Sequence, residues 1–190
     1  MKNRFGPLLA IGAVGLVIII IVGMFFGTYN SLVTKSQAID AQWAQVETQY
    51  QRRFDLIPNL VNSVKGIMTQ EQTVFGQLAD ARSKYAGAPT VNEKAVAGGQ
   101  VEAALGRLLV IMENYPQLRS VETVTQLMDE LAGTENRISV ERRRYNNLVQ
   151  DYNTTIKKVP TNIIASMFNF GPREYFQSVS GADQAPKVEF

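Results

Sequence analysis

Between Arg4 and Lys35 the chain carries no charged side chain, and within that stretch residues 8–26 read LLAIGAVGLVIIIIVGMFF. As a helix this run spans about 28 Å at 1.5 Å per residue, close to the ~30 Å hydrocarbon core of a bilayer. Phe25, Phe26 and Tyr29 follow at the place of an interfacial aromatic anchor. Lys2 and Arg4 would also suit the n-region of a secretory signal peptide. Against that, Gly23-Met24-Phe25-Phe26-Gly27 offers no small-x-small cleavage site, and the apolar run outlasts an ordinary h-region. The expectation is an uncleaved transmembrane helix over residues 8–27, flanked by Lys2, Arg4 and Tyr29. Two basic residues precede the span, and only Lys35, accompanied by Asp40, follows closely. The positive-inside rule then keeps residues 1–7 in the cytoplasm, by a bias of one residue. That makes a single-pass protein of the cell membrane, with residues 28–178 on the outer (periplasmic or extracellular) side and a flexible tail over residues 179–190.

The residue inventory excludes much chemistry. Among 190 residues there is no cysteine and no histidine. Disulfides, thiolate catalysis, cysteine-based metal sites and any Ser-His-Asp or Cys-His pair are impossible. The commonest general base and transition-metal ligand is missing as well. No cofactor, metal site or catalytic set is expected. Charge adds little. Lys2 and Arg4 account for the net +2, so the remaining 17 basic residues face 17 acidic ones. The runs Arg52-Arg53, Arg142-Arg143-Arg144 and Lys157-Lys158 read as solvated helix faces, and nucleic acid is not an expected partner.

Beyond the apolar run the periodicity is helical. Leu32, Ile39, Trp43, Val46, Tyr50 and Phe54 recur at helical spacings, and the pattern continues through Ile57, Val61, Val64, Met68, Phe75, Leu78 and Tyr85. Gly87-Ala88-Pro89 is a stop signal. A further helix is predicted from about Asn92 to Tyr115, weakened in its first half by Gly98-Gly99 and ended by Pro116. A last one is predicted from about Val121 to Val159, closed by Pro160. Asp55-Leu56-Ile57-Pro58 reads two ways: Asp55 as N-cap with Pro58 in a first turn, or Pro58 as a kink in one long helix. The apolar phase survives across Pro58, apart from a four-residue stutter near Tyr50–Phe54, and favours the kink; bundle economy favours the turn. The fold class expected is all-α, with a transmembrane helix followed by an antiparallel up-and-down bundle. The bundle has four helices, or three if the helix across Pro58 is continuous.

Glu71, Arg82, Glu135 and Arg142 fall on the apolar stripes. They are expected to form a structural polar core of inter-helix ion pairs rather than a reactive site. Tyr29-Asn30-Ser31-Leu32-Val33 and Tyr145-Asn146-Asn147-Leu148-Val149 echo each other, and Tyr152-Asn153 adds a third Tyr-Asn. After Pro160, Ile163, Ile164, Met167, Phe168, Phe170, Tyr175 and Phe176 make the densest apolar cluster outside the span. A cluster of that size needs cover: the end of its own bundle, a neighbouring subunit, or the membrane surface. Without a basic face in residues 163–176, the subunit ranks ahead of the membrane.

The motifs TYNSLV, RRFDLIPNLVNSVKG, YPQLRS, GTENRISVERRRYNNLVQDYN and VPTNIIASMFNFGPREYF, in that order, resemble the LemA family over about residues 10–178. The resemblance implies a membrane anchor and an up-and-down four-helix bundle, which favours the turn reading at Pro58. Some members carry a lipoprotein cysteine before the Tyr-Asn motif. Here Phe26-Gly27-Thr28 stands there, so the helix must do the anchoring. No catalytic residue is implied. The function expected is a non-enzymatic scaffold of the cell envelope, with the bilayer, further copies of itself and an unidentified membrane or envelope protein as partners. An adaptor or regulator of a membrane protease or its clients is the alternative.

Overall fold

The computed structural model describes residues 5–68 and 71–177. Lys2, Arg4 and the tail 179–190 lie outside the described residues. The described chain is all-helical: α1 (Phe5–Lys65), α2 (Gln72–Gly87), α3 (Val91–Met112), a 3-10 turn (Pro116–Ser120), α4 (Glu122–Thr155) and α5 (Thr161–Met167). The helices divide into two compact units. Unit 1 is built from α1 as far as Asp40 with Leu148–Arg173, and unit 2 from Ala41–Asn147 with the segment from Glu174.

Of the two readings at Pro58, the continuous helix holds and the turn that the resemblance favoured does not. Helix α1 runs through Pro58 and ends at Lys65. A proline inside a helix removes one backbone hydrogen bond and costs ~3 kcal/mol. Burial on both sides of it offsets that cost, since Ile57, Leu60 and Val64 are all in the core. The chain reverses instead around Gly66, after which Met68 is buried. The periodic run from Ile57 to Tyr85 is therefore two helices, and the later part of α1, α2, α3 and the first part of α4 make four helical stretches in unit 2. Helix α3 starts on a capping box, Thr90 accepting from the Glu93 backbone while the Glu93 carboxylate accepts from the Thr90 backbone.

The core follows a seven-residue repeat. In α1, Leu32, Ile39, Val46, Arg53 and Leu60 recur every seventh position, and in α4, Val124, Leu131, Ile138, Tyr145 and Tyr152 do the same; all are buried. Before Leu32 the pattern is different. No side chain from Ile11 to Ser31 is buried, although this part of α1 is the most apolar in the chain. An N-terminal helix of that kind fits a membrane location.

Candidate functional site

Unit 2 holds a balanced ionic centre. Arg53 stands at a core position of the repeat and is only 2% exposed. Its Nη2 is paired with Glu135, its Nε donates to Thr134 Oγ1 at 3.3 Å, and its Nη1 lies 3.9 Å from Glu102. Glu102, from α3, is also paired with Arg142 of α4, whose guanidinium donates to the Tyr50 hydroxyl. Two guanidinia and two carboxylates thus tie three helices together with no net charge. Burial, reinforced by Glu135 and opposed by Arg53, raises the Glu102 pKa from 4.5 to about 7. Burial also lowers Arg142 to about 10. Arg142 lies over the ring of Phe176 at 4.5 Å, and Phe176 packs on Trp43. Nothing in this set is a nucleophile with a base, and among the described residues no group of His, Cys, Asp and Glu is arranged to hold a metal. The arrangement ties helices.

Of the polar residues singled out from sequence, Glu135 and Arg142 both enter this centre, paired with Arg53 and Glu102 rather than with each other. Glu71 and Arg82 do not join it. Glu71 caps α2 without a side-chain hydrogen bond, and half-buried Arg82 borders a groove formed with Ile57, Pro58, Val61, Phe75 and Leu78. Arg53, Glu102, Thr134 and Tyr50 were not foreseen in this role. The run Arg52-Arg53, read as a solvated face, is corrected at Arg53. The signal was present: Arg53 lies seven residues from Val46 and Leu60, and counting it in place of Phe54 removes the apparent stutter. Gly98 was read only as a weak point of α3, but a Cβ there would meet the Tyr50 hydroxyl at 2.5 Å. Glycine lets Tyr50 lie against the α3 backbone and reach Arg142.

Two of the three Tyr-Asn pairs, Tyr145-Asn146 and Tyr152-Asn153, have a common job. In unit 2, Asn146 accepts from the Phe176 N–H at 2.8 Å and donates to the Phe176 carbonyl at 2.9 Å. Tyr145 adds a hydrogen bond to the Glu174 carbonyl. In unit 1, Asn153 makes the same reciprocal pair with Arg173, at 2.8 and 2.9 Å. Each asparagine satisfies the backbone of a segment that has no strand or helix partner of its own.

The apolar cluster after Pro160 divides between the units. Phe176 is buried in unit 2, and Tyr175 there is partly open. In unit 1, Ile164 is buried, Phe170 lies against Tyr29, and Phe168 packs on Phe25 and Tyr29 with ring centroids 5.8 and 4.8 Å apart. Ile163 and Met167 point away from that packing and stay 58% and 63% exposed. Unit 1 is further held by the Lys35–Asp151 ion pair and by Arg173, which donates to Ser36 Oγ at 2.8 Å and Asp40 at 3.1 Å.

A family model described as "LemA family" matches residues 42–190. The chain is 31% identical over 181 aligned positions to "Magnetosome protein MamQ 2" of Paramagnetospirillum magneticum, covering 82% of this chain and 66% of that protein. It is 29% identical to "Magnetosome protein MamQ" of Magnetospirillum gryphiswaldense, with the same coverage. "Protein LemA" of Metamycoplasma hominis is 23% identical over 165 positions, covering 84% of this chain and 75% of that protein. The chain spans slightly less than two thirds of the length of the MamQ proteins that it matches.

Proposed function

The chain belongs to the LemA family, and from that premise we propose that it is a non-enzymatic single-pass membrane protein. Its helical units act as a scaffold in the cell envelope, associating with further copies or with envelope partners. One observation carries the reading: α1 leaves every side chain from Ile11 to Ser31 unburied, then from Leu32 onward supplies one core residue every seventh position. An all-round apolar helix is at home in lipid, and a striped one in a bundle. One helix therefore serves as both anchor and structural rib. The charge-neutral centre of Arg53, Glu102, Glu135 and Arg142 supports a structural role, because it holds helices and offers no reacting group.

The adaptor reading draws on a different observation. The groove beside Pro58, lined by Ile57, Val61, Phe75 and Leu78 with Arg82 at its border, suits an extended apolar peptide that carries a carboxylate. Photo-crosslinking of the full chain in intact membranes separates the two. Crosslinks to further copies or to non-protease envelope proteins support the scaffold; capture of a protease from positions around Phe75 replaces it with the adaptor. Topology is checked in the same cells with Ser83→Cys, the only thiol in the chain. Reaction with an impermeant reagent is the result expected, and protection until the membrane is opened reverses the orientation.

A further inference from the structure

We propose that α5 and the turn before it form a second contact with the bilayer, lying in the headgroup region and pinning unit 1 to the surface from which α1 emerges. The proposal rests on the reading that α1 spans the membrane. Phe168 packs on Phe25 and Tyr29, the residues of α1 that follow the apolar run. The C-terminal end of α5 is thereby fixed at the level where α1 leaves the hydrocarbon. Lys35 pairs with Asp151, and Phe168 meets Phe25 and Tyr29, so from Asp151 to Phe168 the chain runs back along α1 toward that same level. Within α5, Ile164 and Ala165 are buried inward, while Ile163 and Met167, four apart on one helical face, are open. Val159 and Phe168 extend that open surface on either side.

Charge agrees with lipid. No acidic residue occurs between Asp151 and Glu174, and the exposed Lys157 and Lys158 stand in the turn entering α5. Neither lysine makes an ion pair among the described residues. Residues 163–176 contain no lysine, but the fold adds these two beside α5, which supplies the basic edge that the segment alone lacks. A second copy of the chain is a poorer occupant. Val159, Ile163, Met167 and Phe168 are 80, 58, 63 and 44% exposed, so even at ~250 Å² for a whole side chain they present roughly 600 Å², below the ~800 Å² per partner of a standard protein interface.

The test uses the full chain in vesicles of phosphatidylcholine and phosphatidylglycerol, with an environment-sensitive fluorophore on single cysteines. Ile163→Cys and Met167→Cys report on α5, Ile18→Cys on the span and Ser83→Cys on water; none of these sites is buried, so the core is spared. The labels at 163 and 167 are expected to lose roughly half their emission to lipids spin-labelled at the top of the acyl chain, as for a helix lying at the headgroup boundary. The label at 18 is quenched most by lipids labelled near the chain end, and the label at 83 by neither. If 163 and 167 behave like 83 while 18 is quenched, the spanning helix stands and the second contact is refuted. Labels at 163 and 167 that are shielded from water yet unquenched place protein over α5 and equally overturn it. An unquenched label at 18 removes the spanning reading and this inference with it.

Discussion

Among the described residues two helices are long and apolar enough to cross a bilayer, and the fold treats them in opposite ways. The best window of α1 has mean hydropathy 2.5 and none of it is buried; that of α3 reaches 1.4 with 44% of it buried. In α3 one side is covered, with Val101 and Leu108 buried and Glu102 turned into the ionic centre, while Val96 and Val110 stay open. In the first part of α1 no side is preferred. Mean hydropathy measures how much apolar surface exists, but the way it is distributed around the axis decides whether protein or lipid covers it.

The largest effect expected separates the two by face. Leu108→Arg buries an unpaired charge and abolishes the cooperative thermal melt, whereas Val110→Arg stays within about 0.5 kcal/mol of the parent. On α1, Ile19→Arg and Ile21→Arg, on different faces, weaken insertion alike, by ~2.5–3.5 kcal/mol each. Face dependence on α1, or its absence on α3, breaks the comparison.

The next contrast sets a buried tie against an exposed one. Arg53→Ala leaves Glu135 without its partner and opens a core position, costing about 3–5 kcal/mol in a denaturant titration. Lys35→Ala removes an ion pair whose members are 32% and 59% exposed, and costs under ~1 kcal/mol. Smaller again is the glycine pair within α3. Gly106 has open space around it, so Gly106→Ala is expected to stabilise by up to ~1 kcal/mol through helix propensity. Gly98→Ala meets Tyr50 and is expected to destabilise by about 1–3 kcal/mol. Equal shifts in melting temperature would mean that Tyr50 is not held against α3.

A further contrast lies in pH dependence. Glu102 has a folded pKa of about 7 against an ordinary 4.5, so between those values the folded chain holds more protons than the unfolded one. Its contribution to stability is therefore full below about 4.5 and falls as pH rises through about 7. Glu102→Gln should flatten the fall of melting temperature across that window. An unchanged slope would assign the dependence to another group.

Much of this was legible in advance, and the failures have physical causes. The apolar span, the stop at Gly87 and the all-helical class follow from local spacing and local chemistry, whereas α3 ends at Met112, before the Tyr115 end that Pro116 predicted. Pro58 stayed open between turn and kink because the cost of an internal proline is local and known, whereas the burial that offsets it comes from other helices. Arg53 was misplaced because a charged residue on an apolar stripe looks like a break in phase until partners for it are found. Those partners, Glu102, Thr134 and Glu135, lie 49 to 82 residues away along the chain. No window of sequence brings them together.

By itself the sequence determined that this chain is helical, that it carries an apolar segment fit for lipid, and that it has neither thiol nor imidazole chemistry. These are properties of residue type and spacing, set within a few turns of helix. The tertiary structure decided which charges are buried, why α3 needs a glycine facing Tyr50, and that the Tyr-Asn pairs clamp backbone at Arg173 and Phe176. It also decided that Lys157 and Lys158 border the open face of α5. Each of these depends on two segments distant in sequence meeting at a few ångströms, and periodicity carries no information about that meeting.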